Sequence, residues 1–311
     1  MKIGVVGAGG VGGYFGGRLA VADHDVAFRA RGPHLAAIRE HGLRVRSLRG
    51  DFTAAVPAHD DTKQMGRCDV VLFCVKTYDT ESAASQLGPL IGDATAVVSL
   101  QNGIDNEEKI AAVVGEDHVA GGAAFIFSAI TEPGVVTHTG GPARIAFGEM
   151  DGAVTPRMEQ LLAACRDAAI DATIPPDIRV VLWNKFAFIC ATAGMTAAVR
   201  LPLGEIRRCA ESWAMFARIL AEVVALARAE GIGLGEDVVE QQIAFASGLE
   251  PGSCSSLYHD LVAGNRMELE SLHGTVVRRA ARLGIAVPAC ESIYALLHPW
   301  VDRRQSLRNG E

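Results

Sequence analysis

The sequence predicts an α/β protein, in which a doubly wound sheet is followed by an all-helical C-terminal domain. Up to about residue 175, short apolar runs alternate with helical stretches, which is the pattern of parallel strands joined by crossover helices. From Ile178 nearly to the end of the chain, the periodicity is helical. Pro175 and Pro176 stand between these regions, so we expect domains of residues 1–175 and 176–311.

Continuous apolar runs predict the strands of the first domain. "KIGVVG" and "HDVAFRA" read as strands, and "CDVVLFCV" and "TAVVSL" have the composition of central parallel strands that are buried on both faces. The helical stretches between or after them are residues 11–22, "GPHLAAIREHG", "DTESAASQLGPLI" and "NEEKIAAVV".

The remaining segments divide into an antiparallel region and a helical region. "AGGAAFIFSAI", "GVVTHTG" and "ARIAFGE" read as three strands joined by turn residues, which indicates antiparallel pairing. "AMFARILAEVVALARAEG" is an amphipathic helix that ends at Gly231, and "TVVRRAARLG" is another.

The composition excludes some classes of binding partner and indicates the cellular compartment. A net charge of -7 over 311 residues argues against nucleic acid or an anionic membrane as a partner. Seven cysteines without a C-x-x-C pair favour a reducing cytoplasm, and nine histidines without metal-ligand spacing predict no metal site. A strand pattern beginning at Lys2 leaves no room for a signal peptide, and the apolar run 186–199 is shorter than a membrane span.

A glycine-rich turn follows the first strand and opens the first helix. Its residues are Gly7-Ala8-Gly9-Gly10-Val11-Gly12. In this context Gly7 permits the tight turn, Gly9 lets the backbone approach a pyrophosphate, and Gly12 allows close packing of helix on strand. Free N–H groups at the helix start would then hold the phosphates. The first domain is therefore predicted to be a Rossmann-type dinucleotide-binding domain.

The end of the second strand favours NADP(H) over NAD(H). NAD sites usually carry an acidic residue there, but this strand ends in Phe28-Arg29-Ala30-Arg31. A guanidinium can grip a 2′-phosphate through paired hydrogen bonds. Arg31 is the better candidate and Arg29 the second.

Polar residues follow two strands at the edge where ligands of doubly wound sheets bind. "VVLFCVK" delivers Lys76 to this edge, and "VVSLQNG" delivers Gln101 and Asn102. A role in an ordinary turn is the competing interpretation, above all for the Asn102-Gly103 pair.

Lys185 carries the one charge in "LWNKFAFICA". An ammonium beside such a run is costly to bury, and its pKa is easily moved. Taken alone, the run fits a lysine that reaches from a helix to water, but it also fits the acid–base group of an active site.

Six motifs together resemble the ketopantoate reductase (2-dehydropantoate 2-reductase) family over essentially the whole chain. They are "GAGGVG" at 7–12, "VKTYDT" at 75–80, "QNG" at 101–103, "WNKF" at 183–186, "SSLYHD" at 255–260, and "MELESLHG" followed by "GIAVP" at 267–288.

The resemblance implies an NADPH-dependent reductase of 2-dehydropantoate in pantothenate biosynthesis, with residues 1–175 binding NADP and residues 176–311 supplying substrate and catalytic groups. It implies that Lys185 is the general acid and that Glu268 binds substrate and helps set up this lysine. Ser256 is implied to contact the substrate carboxylate region. Asn102 and Lys76 are implied to lie beside nicotinamide and substrate, and Arg31 to bind the 2′-phosphate.

The chain departs from the family on the substrate side. Ile189 and Ala193 stand where the family has asparagines, and Glu270 and His273 also differ from the usual residues. A paralogous reductase of another 2-oxo acid or an opine-like substrate therefore stays open, as does a non-catalytic NADP(H)-binding regulator.

Two further expectations concern the helical domain. Residues 263–265, Ala-Gly-Asn, read as a helix break, which would let Ser256 and Glu268 turn toward one cleft. The apolar helices could also support a homodimer.

Overall fold

The computed structural model describes the backbone of residues 1–308 and the side chains of residues 1–301. The chain forms two compact units. The first unit comprises Met1–Gln101 and Asp105–Val181, and the second comprises Asn102–Ile104 and the chain from Leu182 onward. The domain boundary expected at residue 175 stays a prediction.

The first unit is built on one mixed sheet. Its strands are β1 (Lys2–Val6), β2 (Asp25–Arg29), β3 (Leu43–Ser47), β4 (Phe52–Ala54), β5 (Ala58–His59), β6 (Val70–Phe73), β7 (Ala96–Ser99), β8 (Val119–Glu132), β9 (Val135–Glu149) and β10 (Asp171–Thr173). The order across the sheet is β4-β3-β9-β8-β7-β6-β1-β2-β5, with β10 beside β9. Strands β8, β7, β6, β1, β2 and β5 pair parallel, which confirms the doubly wound arrangement.

Twelve α-helices are present among the described residues. They are α1 (Gly10–Val21), α2 (Gly32–His41), α3 (Thr80–Ala84), α4 (Asn106–Val114), α5 (Pro156–Asp167), α6 (Ile178–Val199), α7 (Leu203–Arg208), α8 (Ala210–Ala229), α9 (Val238–Ser247), α10 (Ser256–Ala263), α11 (Thr275–Leu283) and α12 (Pro288–Arg308). From α6 onward there is no further strand in the described chain. The prediction of a helical C-terminal region is confirmed.

The central strands are buried on both faces because their side chains alternate between two apolar clusters. In β6, Val70 and Leu72 belong to one cluster, whereas Val71 and Phe73 belong to the other. A strand in this position must be apolar at every residue. This is why the continuous runs in the sequence located β6 and β7 correctly.

The antiparallel region differs from its prediction in the number of strands. "GVVTHTG" and "ARIAFGE" lie in one long strand, β9, which pairs antiparallel with β8. Gly141 (φ +80°) and Ala143 (φ +47°) interrupt regular geometry inside β9 without ending it. The strand continues because β8 shifts register on either side of Phe127.

Four strands, β3, β4, β5 and β10, and the end of one helix lack a prediction from the sequence. β3, β4 and β5 are short, and β3 reads "LRVRS", where alternate residues are charged and exposed. The stretch "DTESAASQLGPLI" was expected to be one helix. It forms α3 and then a separate 3₁₀ turn over Gly88–Leu90, because Pro89 lacks the N–H that a continuing helix needs.

Helix α6 is longer than the apolar run that suggested it. It begins at Ile178 and has 22 residues. Among the helices of the described chain, it is the one that is long and apolar enough to cross a membrane. The length argument made on residues 186–199 was therefore incomplete. However, 67% of its apolar stretch is buried within the protein, as in the core helix of a globular fold.

Candidate active site

The glycine-rich turn has a separate steric requirement at each of its glycines. Gly7 has φ +104°, and a Cβ there would lie 2.7 Å from the carbonyl carbon of Cys74. A Cβ on Gly12 would lie 2.1 Å from the carbonyl oxygen of Gly7. Both positions exclude a side chain, so the turn and the close packing of α1 depend on glycine.

Gly9 differs because a Cβ there would meet nothing within 4 Å. The open space lies beside the start of α1, where the N–H groups of the first turn have no intrahelical acceptor. The first helical bond in this region runs from the Gly13 N–H to the Gly9 oxygen, at 2.7 Å. A pyrophosphate group fits such a cradle, since it can approach the backbone and accept from these N–H groups.

Two further glycines of α1, Gly10 of the predicted cofactor turn and Gly13, have packing requirements that the sequence does not reveal. A Cβ on Gly10 would lie 2.2 Å from the carbonyl oxygen of Ser128 in β8, and one on Gly13 would lie 2.7 Å from the Val136 side chain in β9. The long hairpin therefore packs directly on the start of α1. Only the tertiary structure reveals this requirement, because the partners are more than 100 residues away.

The two arginines at the end of β2 have different environments. Arg29 is 8% exposed and donates to Gln86 at 2.7 Å, and burial together with the charge of Arg31 lowers its pKa. Arg31 is 65% exposed and forms a 2.7 Å ion pair with Asp79. Arg31 is thus the guanidinium that a ligand can reach, but it already holds a carboxylate. No pattern in the sequence identifies Asp79 as its partner.

The loop after β6 is tied to the loop after β7 by Gln101. The Gln101 amide donates to the Val75 carbonyl at 2.9 Å and to the Thr80 hydroxyl at 2.8 Å. Val75 immediately precedes Lys76, which is exposed. Gln101 is buried and joins the two loops by hydrogen bonds, whereas the Lys76 side chain is exposed on the first unit.

Asn102 leaves the sheet unit. Residues Asn102–Ile104 belong to the second unit, although they follow β7 in the chain. Arg279 of α11 donates to the Ile104 carbonyl at 3.4 Å and pairs with Glu230 at 2.8 Å. The helices of the second unit therefore hold the segment that carries Asn102, although the sequence shows this residue only as the end of a strand.

Lys185 lies in the third turn of α6 and is partly buried. Eleven residues later on the same helix, the Thr196 hydroxyl lies 2.7 Å from the hydroxyl of Ser255. Eleven residues at 100° each return to within about 20° of the starting direction, ~16 Å along the axis. Helix α10 therefore begins against the same face of α6 that carries Lys185.

The end of α10 lies where the sequence predicts a break. Ser255 caps the helix by accepting from the Tyr258 N–H at 3.0 Å, and Ser256 is its exposed first residue. The helix ends at Gly264, which has φ +83°, so the predicted break is confirmed. Glu268 follows the break and is 7% exposed. A carboxyl group at this depth depends on polar partners.

A π-helical turn over Glu270–Gly274 follows Glu268, and such turns often mark functional sites. His273 within it is fully buried, and burial lowers its pKa to about 4, so the ring is neutral near pH 7. A Cβ on Gly194 of α6 would lie 2.5 Å from its Nε2, so this glycine leaves room for the imidazole. This contact gives a packing role to one of the departures from the family pattern.

The expected site residues thus divide between the units. The glycine turn and Arg31 belong to the first unit and are joined through β2, since the Gly7 N–H donates to the Arg29 carbonyl at 3.3 Å. Lys76 is also in the first unit. Asn102, Lys185, Ser256 and Glu268 belong to the second unit.

Comparison with known proteins gives matches along both units. The family model described as ketopantoate reductase PanE/ApbA matches residues 3–152, and the model of the C-terminal part of the same family matches residues 177–300. The 2-dehydropantoate 2-reductase of Halobacterium salinarum is 34% identical over 96% of this chain and 98% of its own.

Solved structures agree with these matches. A PanE/ApbA family ketopantoate reductase from Ralstonia eutropha JMP134 superposes with a TM-score of 0.91 at 34% identity, covering 98% of this chain and all of the other. D-mandelate dehydrogenase, solved with NADH and anilino(oxo)acetate, shares the fold at a TM-score of 0.88 and 23% identity, covering 98% of this chain and 99% of the other. The relatives are NAD(P)-dependent oxidoreductases, and with both halves matched by its models, this chain belongs to the ketopantoate reductase family.

Proposed function

We propose that this protein reduces 2-dehydropantoate to pantoate with NADPH. The observation that carries the proposal is the 34% identity, over nearly the full length of both chains, to a 2-dehydropantoate 2-reductase. The residues that the family motifs point to, Lys185 and Glu268, are both retained. A protein that only sensed the cofactor would need neither group.

Reduction of a 2-oxo acid adds a hydride to the carbonyl carbon and a proton to its oxygen. A reduced nicotinamide, once bound, would supply the hydride. Lys185 supplies the proton as general acid, for which it must carry its charge near neutral pH. Lys185 is partly buried on the apolar helix α6, and an ammonium in such a position needs a neighbouring carboxylate.

Glu268 is the carboxylate that we propose to lie beside the Lys185 ammonium. A carboxylate that is 7% exposed is little screened by solvent, so it can hold an ammonium and a substrate hydroxyl in fixed positions. Ser256, exposed at the start of α10, is proposed to contact the substrate carboxylate. Asn102 and Lys76 are proposed to orient nicotinamide and substrate.

The preference for NADPH over NADH is proposed from the end of β2. No acidic residue follows Phe28 on this strand, and the exposed Arg31 can donate paired hydrogen bonds to a phosphate. Its ion pair with Asp79 competes with that role, so we expect the preference to be moderate.

A second substrate class is favoured by one observation. Ile189 and Ala193 follow Lys185 at i+4 and i+8 on one uninterrupted helix, and Ala193 is buried. Apolar side chains there offer no hydrogen bond to a substrate hydroxyl. A branched 2-oxo acid without that hydroxyl is therefore the alternative substrate.

A panel of 2-oxo acids tests the proposal. Oxidation of NADPH and of NADH would be followed by absorbance with 2-dehydropantoate, its deoxy analogue 2-oxo-3,3-dimethylbutanoate and other 2-oxo acids. Highest kcat/KM for 2-dehydropantoate with NADPH supports the proposal, turnover of only the other acids supports the alternative, and binding without turnover contradicts both.

The proposed compartment is the cytoplasm. All seven cysteines are free in the structure, as in proteins that remain in a reducing environment.

A further inference from the structure

We propose that His34 is a positioning residue of the cofactor site, which orients the peptide between Ala8 and Gly9 in the glycine-rich turn. This inference rests on the proposed role of that turn in binding the dinucleotide pyrophosphate. His34 lies in the first turn of α2, with its Nε2 2.8 Å from the carbonyl oxygen of Ala8. Its Nδ1 accepts from the N–H of Gly134 at 2.9 Å.

The contacts determine the tautomer of the ring. A backbone N–H can only donate, so the Nδ1 that receives it must be unprotonated. The proton of the neutral imidazole is then on Nε2, which donates to the Ala8 carbonyl. Burial of the ring lowers the pKa of His34, which keeps this neutral form at physiological pH.

The bond to Ala8 has a consequence for the next N–H group. All described peptide bonds are trans, so the Ala8 C=O and the Gly9 N–H point in opposite directions in one rigid plane. By holding the carbonyl on the side of α2, His34 directs the Gly9 N–H to the opposite side. Gly9 is also the glycine whose Cβ position is open. The histidine thus prepares a backbone donor for an anion without contacting the anion itself.

The second bond gives the ring a fixed support. Gly134 lies in the turn between β8 and β9, with φ +74°, and its carbonyl accepts from the Arg44 N–H at 2.9 Å. A Cβ on Gly134 would lie 2.9 Å from the Ala37 side chain of α2. The hairpin turn is therefore packed on α2 and cannot move away from His34 without breaking these contacts.

The charged residues that lie near His34 and Gly134 in the sequence are paired with other side chains. Arg31 pairs with Asp79, and Glu132 pairs with Arg46 at 2.8 Å. Burial lowers the pKa of His34 and the bond to Ala8 raises it, and no charged side chain contributes to the shift. The role of His34 therefore rests on hydrogen bonding, above all on the bond to Ala8, rather than on charge.

Two substitutions separate these hydrogen bonds. His34→Gln places an amide N–H near the Nε2 position, so it can keep the bond to Ala8 while the acceptor for Gly134 is lost. His34→Asn places an amide oxygen near the Nδ1 position, so it can keep the Gly134 bond and loses the one to Ala8. His118→Asn is the control, because His118 makes a similar bond to the Thr95 carbonyl at 2.9 Å.

The readout is the dissociation constant of NADPH, measured by its fluorescence without turnover, together with that of adenosine 2′-monophosphate by displacement. The second ligand lacks the pyrophosphate. We expect His34→Asn to weaken NADPH roughly 3- to 10-fold, the effect of about one hydrogen bond. Binding of adenosine 2′-monophosphate should stay within about 2-fold of the wild type, and His34→Gln and His118→Asn should bind NADPH nearly as the wild type does.

Each other outcome overturns the inference. If His34→Gln weakens NADPH as much as His34→Asn does, the ring only fastens the hairpin. If His34→Asn weakens both ligands equally, it has loosened the domain as a whole. Wild-type protein that binds neither NADPH nor NADH would refute the proposed function and this inference together, whereas wild-type binding with unaffected variants refutes the inference alone.

Discussion

The choice between NADPH and NADH is expected to depend on a competition for Arg31. The side chain of this residue is 65% exposed, and its guanidinium lies 2.7 Å from the carboxylate of Asp79, whose side chain is 25% exposed. Binding of a 2′-phosphate requires the same donor atoms. Replacing Arg31 by alanine removes the phosphate contact and the ion pair at once, whereas replacing Asp79 by asparagine removes only the competing charge.

The magnitudes follow from the two contacts. A hydrogen bond to a charged group contributes about 1.5–3 kcal/mol, and an exposed ion pair about 0.2–1 kcal/mol. The difference of roughly 1–2 kcal/mol predicts that Arg31→Ala weakens NADPH about 5- to 30-fold. NADH, which has no 2′-phosphate, should change by less than about 2-fold. Asp79→Asn should tighten NADPH by up to about 5-fold, the whole value of the released pair.

The assay is the dissociation constant of each cofactor at fixed ionic strength, since salt screens such exposed charges. Arg179→Ala is the matched control, because Arg179 forms an exposed 2.8 Å pair with Asp177. Equal weakening of NADH and NADPH in Arg31→Ala would refute the assignment, as would wild-type protein that binds NADH as tightly as NADPH. If Asp79→Asn tightens NADPH equally when residue 31 is alanine, Asp79 acts by repelling the phosphate and not by holding Arg31.

Three further predictions concern catalysis, selectivity and stability. Lys185→Ala should lower kcat by roughly 10²-fold or more while the dissociation constant of NADPH changes little, and near wild-type kcat would return the lysine to a surface role. With Ile189 and Ala193 in place of asparagines, the ratio of kcat/KM for 2-dehydropantoate over its deoxy analogue should stay below about 10⁴, the level of a dedicated polar site. Burial raises the pKa of Glu107 from 4.5 to about 7, so the folded state binds a proton that the unfolded chain releases, and stability falls as pH rises between these values. Glu107→Gln should therefore have a higher free energy of unfolding in urea than the wild type at pH 8, by up to roughly 3 kcal/mol. This difference between variant and wild type should vanish near pH 4.5. If it is the same at both pH values, the carboxyl group does not titrate in this range.

Local signals in the sequence were enough for the parts of the fold that depend on neighbours in the chain. The strand β1, the turn after it and α1 are encoded within about 20 residues, and two glycine requirements lie within that segment: the positive φ of Gly7, and Gly12, whose Cβ would meet the Gly7 oxygen. The end of α10 at Gly264 is equally local, because a left-handed residue ends a helix wherever it stands. Lys185 can be recognised in the sequence alone, because a single charge in an apolar run is visible without any knowledge of the fold.

Contacts between distant segments decided the rest, and no local pattern records them. Gly10 must be glycine because β8 crosses it 118 residues later at Ser128. Asn102 follows a strand of the sheet, yet it belongs to the helical unit, where Arg279 holds the neighbouring Ile104. Whether His34 is a surface residue or a clamp on Ala8 depends on a turn 100 residues away. Hydrogen bonds and steric limits act through space at about 3 Å, so their partners can be identified only once the chain is folded.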